Sequence, residues 1–328
     1  MLPARVSALR RAGLVVGSVI APPRSVDTAS GDLDGTRLSP SALTRRRGAS
    51  VSERMRNAWR QSGYLARLDA AIAAPRLRRC AVIAVMSPKG GVGKTTVSSL
   101  LGALFALVRV DRVVAIDSNP DYGSLGRSLT PEHNIFVDNL LESLDDPAPS
   151  VTALDLQLGR GPHGLMVLPA PTDPLRMAAL GEQHYTRVIQ RLQGLVGIII
   201  LDCGTGLQEP PARAALEAAD QIVLVSDAEP ATASLVAEAS QSLRQAGKPL
   251  HLVVNKMGSR GSRLELKALE GHVPDAASLV VLPAERQAAT RLAAGSFDWR
   301  EGPSAWRRSV AELAVALVAD WKDVELSE

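Results

Sequence analysis

The run Ser87-Pro88-Lys89-Gly90-Gly91-Val92-Gly93-Lys94-Thr95-Thr96 concentrates the residue types that handle phosphate. Gly90, Gly91 and Gly93 carry no Cβ, so successive backbone N–H groups there can curl toward an anion. Lys94 offers an ammonium to β/γ-phosphates, and the Thr95 hydroxyl suits Mg²⁺. A helix opening at Lys94 would add its dipole and its unsatisfied N–H groups. Only six lysines occur in the chain, and two of them are Lys89 and Lys94. Where arginine is the usual cation, that choice points to a need for a compact point charge.

Such a loop needs a strand before it and a helix after it, and the pattern supplies both. Short apolar runs cover Ala81–Met86, Val113–Ile116, Leu165–Leu168, Ile198–Leu201, Ile222–Val225, Leu250–Val254 and Leu279–Leu282. Near-continuous runs of this kind are strands buried on both faces. Helical patterns fall between them, at 94–108, 174–193, 208–218, 230–246, 284–295 and 304–321. The alternation predicts an α/β fold: a three-layer αβα arrangement on a doubly wound, mainly parallel sheet. There is no internal repeat.

Composition removes several function classes. The chain has 328 residues, 46% hydrophobic and 22% charged, which is ordinary for a globular protein. Aromatics at 3% argue against base-stacking recognition of single strands. Two cysteines, Cys80 and Cys203, and five scattered histidines give neither a disulfide framework nor a zinc cluster. No apolar run approaches the length of a membrane span. The net charge of +3 conceals a split. Residues 1–79 hold fifteen arginines against five carboxylates, and residues 80–328 hold 22 basic against 29 acidic residues. A basic arm therefore precedes an acidic body.

Three units are expected: a disordered basic arm over 1–50, a basic helical extension over 51–79, and the phosphate-loop domain over 80–328. The arm is rich in Pro, Gly and Ser, with Arg45-Arg46-Arg47 near its end. Arg10-Arg11 followed by the apolar stretch to Ala21 mimics a signal peptide. An arm helix or an early start codon is preferred, because the nucleotide motif requires cytosolic ATP. Over 51–74, Val51, Met55, Trp59, Leu65 and Leu68 recur at helical spacing, and Pro75 ends the run. That helix either meets a membrane surface or partner, or packs on the main domain. Trp306, Val310, Leu313, Leu317 and Trp321 form a similar stripe near the C-terminus, read as core.

With Pro88 and Lys89 ahead of the glycines, the loop resembles the deviant Walker A motif of the MinD/ParA family, and the resemblance spans residues 80–320. It implies that Lys89 reaches the nucleotide of a second subunit. Asp117-Ser-Asn119-Pro120 is similar to the family's switch I. Asp117 would face the Mg²⁺ region, and Asn119 stands where the family has the aspartate that orients and activates water. An amide can position water but cannot take its proton. Asp121 is a candidate substitute, and the plainer reading of Asn119 is a turn residue before proline. Ile198 to Asp202 resembles Walker B, with Gly204 and Gly206 as switch II. Asn255-Lys256 looks like the base-binding segment, and Pro283-Ala284-Glu285 like the loop that closes over adenine; alone, Asn255 is a cap or turn residue. The loop, Asp-Ser-Asn-Pro-Asp-Tyr-Gly-Ser-Leu and the preceding arginine-rich helix also resemble MinD-like ATPases of actinobacterial type VII (ESX) secretion systems.

The resemblance implies a cytoplasmic ATPase, peripheral at the inner membrane face, that binds ATP and Mg²⁺. Its metal ligands would be Thr95, Asp117 and Asp202, and Lys89, Lys94, Asp117 and Asn119 its catalytic group. The nucleotide would also touch Gly90, Gly91, Val92, Gly93 and Thr96. It would work as a slow, nucleotide-dependent homodimer switch for a secretion or envelope machine, with residues 1–79 meeting a membrane-associated component or an anionic surface. The alternatives are a non-hydrolysing scaffold, a DNA-partition ATPase, which the acidic body disfavours, and a bacterial tyrosine kinase, which the three tyrosines disfavour.

Overall fold

The computed structural model describes residues 51–119, 123–143, 151–258 and 264–327, without the side chains of 51–61, 151 and 153. The expected arm over 1–50 and Asp121 lie outside the described residues, and the side chains of Val51, Met55 and Trp59 are not among those described.

Helix α1 (Val51–Ala73) precedes β1 (Ala81–Met86), α2 (Lys94–Val108) and β2 (Val113–Ser118). Short helices follow, α3 (Leu125–Leu129), α4 (Val137–Ser143) and α5 (Val151–Gln157), then β3 (Gly159–Arg160) and β4 (Met166–Leu168). Next come α6 (Pro174–Ala178), α7 (Glu182–Gln193), β5 (Ile198–Cys203), α8 (Pro210–Ala218), β6 (Gln221–Asp227) and α9 (Pro230–Leu243). The chain closes with β7 (Leu250–Met257), α10 (Leu266–His272), β8 (Ala276–Pro283), α11 (Arg286–Ala293) and α12 (Ser304–Asp320).

The strands form one sheet in the order β3-β4-β2-β5-β1-β6-β7-β8. Pairing is parallel from β4 to β8, and β3 runs antiparallel to β4 at the edge. Successive residues of a strand point to opposite faces. Ile83 and Val85 therefore enter the core shared with α1, α2, α11 and α12. Val82, Ala84 and Met86 enter the core shared with α7, α8 and α9. Helices on both faces of a parallel sheet make the expected αβα sandwich. Both cysteines are buried and unpaired. Among the described residues no helix is long and apolar enough to cross a membrane.

The C-terminal half of α1 belongs to this core. Leu68 and Ile72 are fully buried, and Tyr64 donates its hydroxyl proton to Glu312 of α12 at 2.9 Å. At the C-terminal end of α2, Arg109 donates to the carbonyls of Ile72 (2.6 Å) and Pro75 (2.8 Å) and lies over the Trp321 ring. The last residues fold back, with Leu77 paired to Ser327 and the Arg78 N–H donating to Leu326 at 2.9 Å. The expected stripe on α12 is buried throughout, from Trp306 to Trp321.

The continuous helix expected over 174–193 is two helices. Gly181 takes an extended backbone, and its N–H is accepted by the His184 ring at 2.9 Å, so α7 starts afresh after Leu180. Asp173 caps α6 by accepting from the N–H groups of Leu175 and Arg176. Helices α3, α4, α5 and α10 have five to seven residues each, too short to show a 3.6-residue period.

Candidate functional site

The loop between β1 and α2 lies at the carboxyl edge of the sheet. Gly91 and Gly93 have φ of +75° and +101°, a region that L side chains rarely enter. Gly93 has a second reason to lack a Cβ, which would stand 2.1 Å from the Asn255 Nδ2 atom. Gly93 also caps α2 and contributes no side-chain hydrogen bond there. The first N–H groups of α2 are thus of the kind that bind an anion lying in the loop. Lys94 is only 8% exposed. Burial pulls its pKa down, and the neighbouring Asp202 carboxylate opposes the shift. An ammonium so placed gains from an anionic partner.

Two carboxylates lie on one side of the strand that feeds the loop. Asp117 of β2 and Asp202 of β5 face each other in register, with Val85 of β1 on the other side of Asp202. Asp202 accepts the hydroxyl protons of Thr95 (2.7 Å) and Ser98 (2.9 Å). Asp117 accepts backbone N–H bonds from Asn119 (3.2 Å) and Leu125 (3.0 Å), and from Gly126. Burial raises both carboxyl pKa values; for Asp117 the charge of Asp202 adds to the rise, and for Asp202 the Thr95 and Ser98 bonds oppose it.

These oxygens suit a hard cation. Mg²⁺ usually takes one or two protein oxygens together with waters and substrate phosphates. Thr95 with Asp202 behind it fits that pattern. Among the described residues no cluster of three or more His, Cys, Asp or Glu side chains forms a metal cage. Asp117 has a different employment here, pinning the backbone that enters α3. Asn119 follows directly, its N–H held by Asp117.

The end of β7 braces the loop. Asn255 is 3% exposed; its Nδ2 donates to the Val92 carbonyl at 2.8 Å and its Oδ1 accepts from the Lys256 N–H at 2.8 Å. Lys256 has φ of +58° and donates from Nζ to the Gly91 carbonyl. The Ala284 N–H donates to the Met257 carbonyl at 2.9 Å, which ties the residues after β8 to the end of β7. The Pro283 carbonyl accepts from the Trp306 indole at 2.8 Å. Lys89 turns toward the start of α9, where Nζ donates to Thr232 Oγ1 at 2.7 Å and lies 3.6 Å from Glu229.

The structure therefore gathers Lys89 to Thr96, Asp117, Asp202, Asn255 and Lys256 around one loop. Ser98, Ser124, Thr232 and Glu229 are additions that sequence reasoning did not single out. Ser98 was within reach, since it lies three residues after Thr95 on the same helical face. Ser124 Oγ is 2.8 Å from Thr95 Oγ1. It and the α9 pair meet the loop only through tertiary packing.

Comparison with known proteins agrees with this geometry. Residues 83–290 match the CobQ/CobB/MinD/ParA nucleotide binding domain family. The ESX-1 secretion-associated protein EspI of Mycobacterium tuberculosis is 27% identical over 257 residues, 73% of this chain and 36% of EspI. The chain thus spans about a third of that relative's length. The septum site-determining protein MinD of Synechocystis is 34% identical over 149 residues, 45% of this chain and 53% of that protein. MinD of Pyrococcus horikoshii, solved with Mg-ADP, superposes with a TM-score of 0.60 at 21% identity, covering 72% of this chain and 94% of its own. The family match over residues 83–290 covers more than half of the chain and takes in the glycine loop, both buried carboxylates and the β7 brace, and by that match this chain belongs to the CobQ/CobB/MinD/ParA nucleotide binding domain family.

Proposed function

We propose that this protein is an ATP-binding and ATP-hydrolysing switch that dimerises with nucleotide and regulates or positions a secretion or other cell-envelope machine. The observation that carries the reading is the Lys89–Lys94 segment: a glycine-flexed turn before a helix with no side-chain cap, with Lys94 buried at the helix start and Lys89 at the rim. The similarity to EspI supports the secretion setting, and the solved MinC:MinD complex of Aquifex aeolicus is a partner-bound relative. Residues 1–79 are the proposed contact with an anionic surface or membrane-associated component, at the cytoplasmic face. The division at residues 50 and 79 belongs to this proposal, with Leu68 and Ile72 of the middle part buried in the core of the third and so not part of that contact.

The loop N–H groups and Lys94 would bind the β/γ-phosphates. Thr95 and Asp202 would hold Mg²⁺, which when bound neutralises phosphate charge; Asp117 would fix the switch segment behind them. Water would attack the γ-phosphorus in line, forming one P–O bond as the bond to the β-phosphate oxygen breaks. Lys94, and Lys89 from the opposite subunit, would stabilise the charge developing on the transferring group. Asn119 would orient the water without accepting its proton, which makes turnover slow. Asn255 would present its remaining N–H to adenine while bracing the loop, with Lys256 and Pro283 to Glu285 closing over the base.

Asn119 also motivates a second reading, a nucleotide-dependent scaffold that does not hydrolyse. Calorimetry with ATP and ADP in Mg²⁺, alongside phosphate release, tests both. Nucleotide uptake that is lost in Lys94→Ala, with phosphate release above that variant and reduced in Asn119→Ala, supports the switch. Uptake with release at the Lys94→Ala level supports the scaffold, and no uptake by folded protein overturns both.

A further inference from the structure

The hydroxyl groups around Asp202 form a chain with a determined proton order. Asp202 accepts from Thr95 Oγ1 at 2.7 Å. A hydroxyl owns one proton. Thr95, having given its proton to Asp202, can only accept from Ser124 Oγ, 2.8 Å away. Ser124 therefore donates onto the oxygen of the one loop hydroxyl placed to meet Mg²⁺.

Ser124 is not delivered there by a loose loop. Gly123 packs so tightly on Asp117 that a Cβ would stand 2.3 to 2.7 Å from its carboxyl atoms. Leu125 is fully buried, and its N–H is bound to Asp117 at 3.0 Å. The backbone on either side of Ser124 is thus fixed against β2, and the Ser124 hydroxyl reaches Thr95 from that fixed point. Ser124 joins the phosphate loop to the start of α3.

We propose that Ser124 is a positioning residue that couples the metal state of the site to the segment entering α3. The inference rests on the nucleotide-switch reading and deepens it. A proton donated onto Thr95 Oγ1 lies beside any doubly charged ion bound to the same oxygen, and the two repel. Metal binding at Thr95 therefore costs the Ser124–Thr95 bond. Ser124 then turns away, and the α3 segment loses its direct tie to the loop. In the metal-free protein the same bond holds that segment against the loop. Ser124 makes the segment responsive to Mg²⁺ as well as to phosphate.

The test is calorimetry of ADP binding across a Mg²⁺ titration, with an EDTA baseline, on the full chain as wild type, Ser124→Ala and Ser124→Thr. Removing the competing donor should lower the half-saturating Mg²⁺ concentration of Ser124→Ala by about three- to tenfold, the value of one net hydrogen bond. Ser124→Thr keeps the hydroxyl and should restore the wild-type value, which a packing role for the serine would not require. Coincident Mg²⁺ curves for wild type and Ser124→Ala overturn the inference, and so does a higher Mg²⁺ requirement, which would make Ser124 a ligand. If wild type binds ADP and only the curves coincide, this inference fails alone. If wild type takes up no ADP at any Mg²⁺ concentration, the nucleotide reading fails and this goes with it.

Discussion

Lys89 is held within its own chain, and the dimer proposed for this protein requires it to leave. Its ammonium donates to Thr232 Oγ1 at 2.7 Å, with Glu229 at 3.6 Å. Replacing Thr232 by valine removes the acceptor while keeping the shape of a fully buried side chain. A hydrogen bond to a charged group contributes about 1.5 to 3 kcal/mol when shielded from water. The Lys89 side chain is 38% exposed, so solvent screening reduces that to about 1 kcal/mol. Glu229 is 72% exposed and adds little. Each dimer needs two such lysines released, so Thr232→Val should favour association by about 2 kcal/mol, or about 30-fold in dimer Kd. Sedimentation velocity over a concentration series in ATP and Mg²⁺ reads this directly. Unchanged or weaker association of a folded Thr232→Val protein would refute the reasoning that this contact opposes the dimer.

Further expectations concern the loop, the added helix and pH. Gly93→Ala places a methyl 2.1 Å from Asn255 Nδ2 at a φ of +101°. It should weaken ADP binding by about five- to 150-fold, the equivalent of about 1 to 3 kcal/mol of strain at such a site; calorimetry showing wild-type affinity would contradict it. Ile72→Ala should cost about 2 to 5 kcal/mol in urea unfolding, because the fully buried Ile72 makes α1 part of the core. A chain starting at residue 51 should keep its midpoint, whereas one starting at residue 76 should not. In nucleotide-free protein, Asp117 is raised from 3.8 to about 8, chiefly by burial and then by Asp202. The folded state holds that proton more tightly than the unfolded state, so its contribution is present below about pH 4 and lost as pH rises to about 8. Stability should fall across that window by up to about 1.4 kcal/mol per pH unit. A flat profile in both wild type and Asp117→Asn would contradict the assignment.

Much of this was legible in the sequence because the physics involved is local. A strand buried on both faces reads as an apolar run, and every such run became a strand. The glycines of the loop announce positive φ, and both Gly91 and Gly93 have it. The α12 stripe announces burial at 3.6-residue spacing, and Trp306 and Trp321 are buried. The illegible parts depend on packing between distant segments. The Asn255 side chain braces Val92 across 163 residues of sequence. The Thr232 contact with Lys89 spans 143 residues, with nothing in the spacing to signal it. The proton order from Ser124 to Asp202 exists only once β2, β5 and α2 are assembled. The helix over 174–193 broke because Gly181 and the His184 ring formed a new start. A period of 3.6 residues continues across such a break unseen.

In the proposed switch, nucleotide, Lys89 and a second copy of the chain assemble together. Size-exclusion chromatography with light scattering, on wild type and Lys89→Ala in ATP and Mg²⁺ or in ADP, tests it most directly. Wild type with ATP and Mg²⁺ should run at doubled mass, and the three other conditions should give monomer. A mass that ignores the nucleotide, or a Lys89→Ala protein that still doubles with ATP, would contradict it.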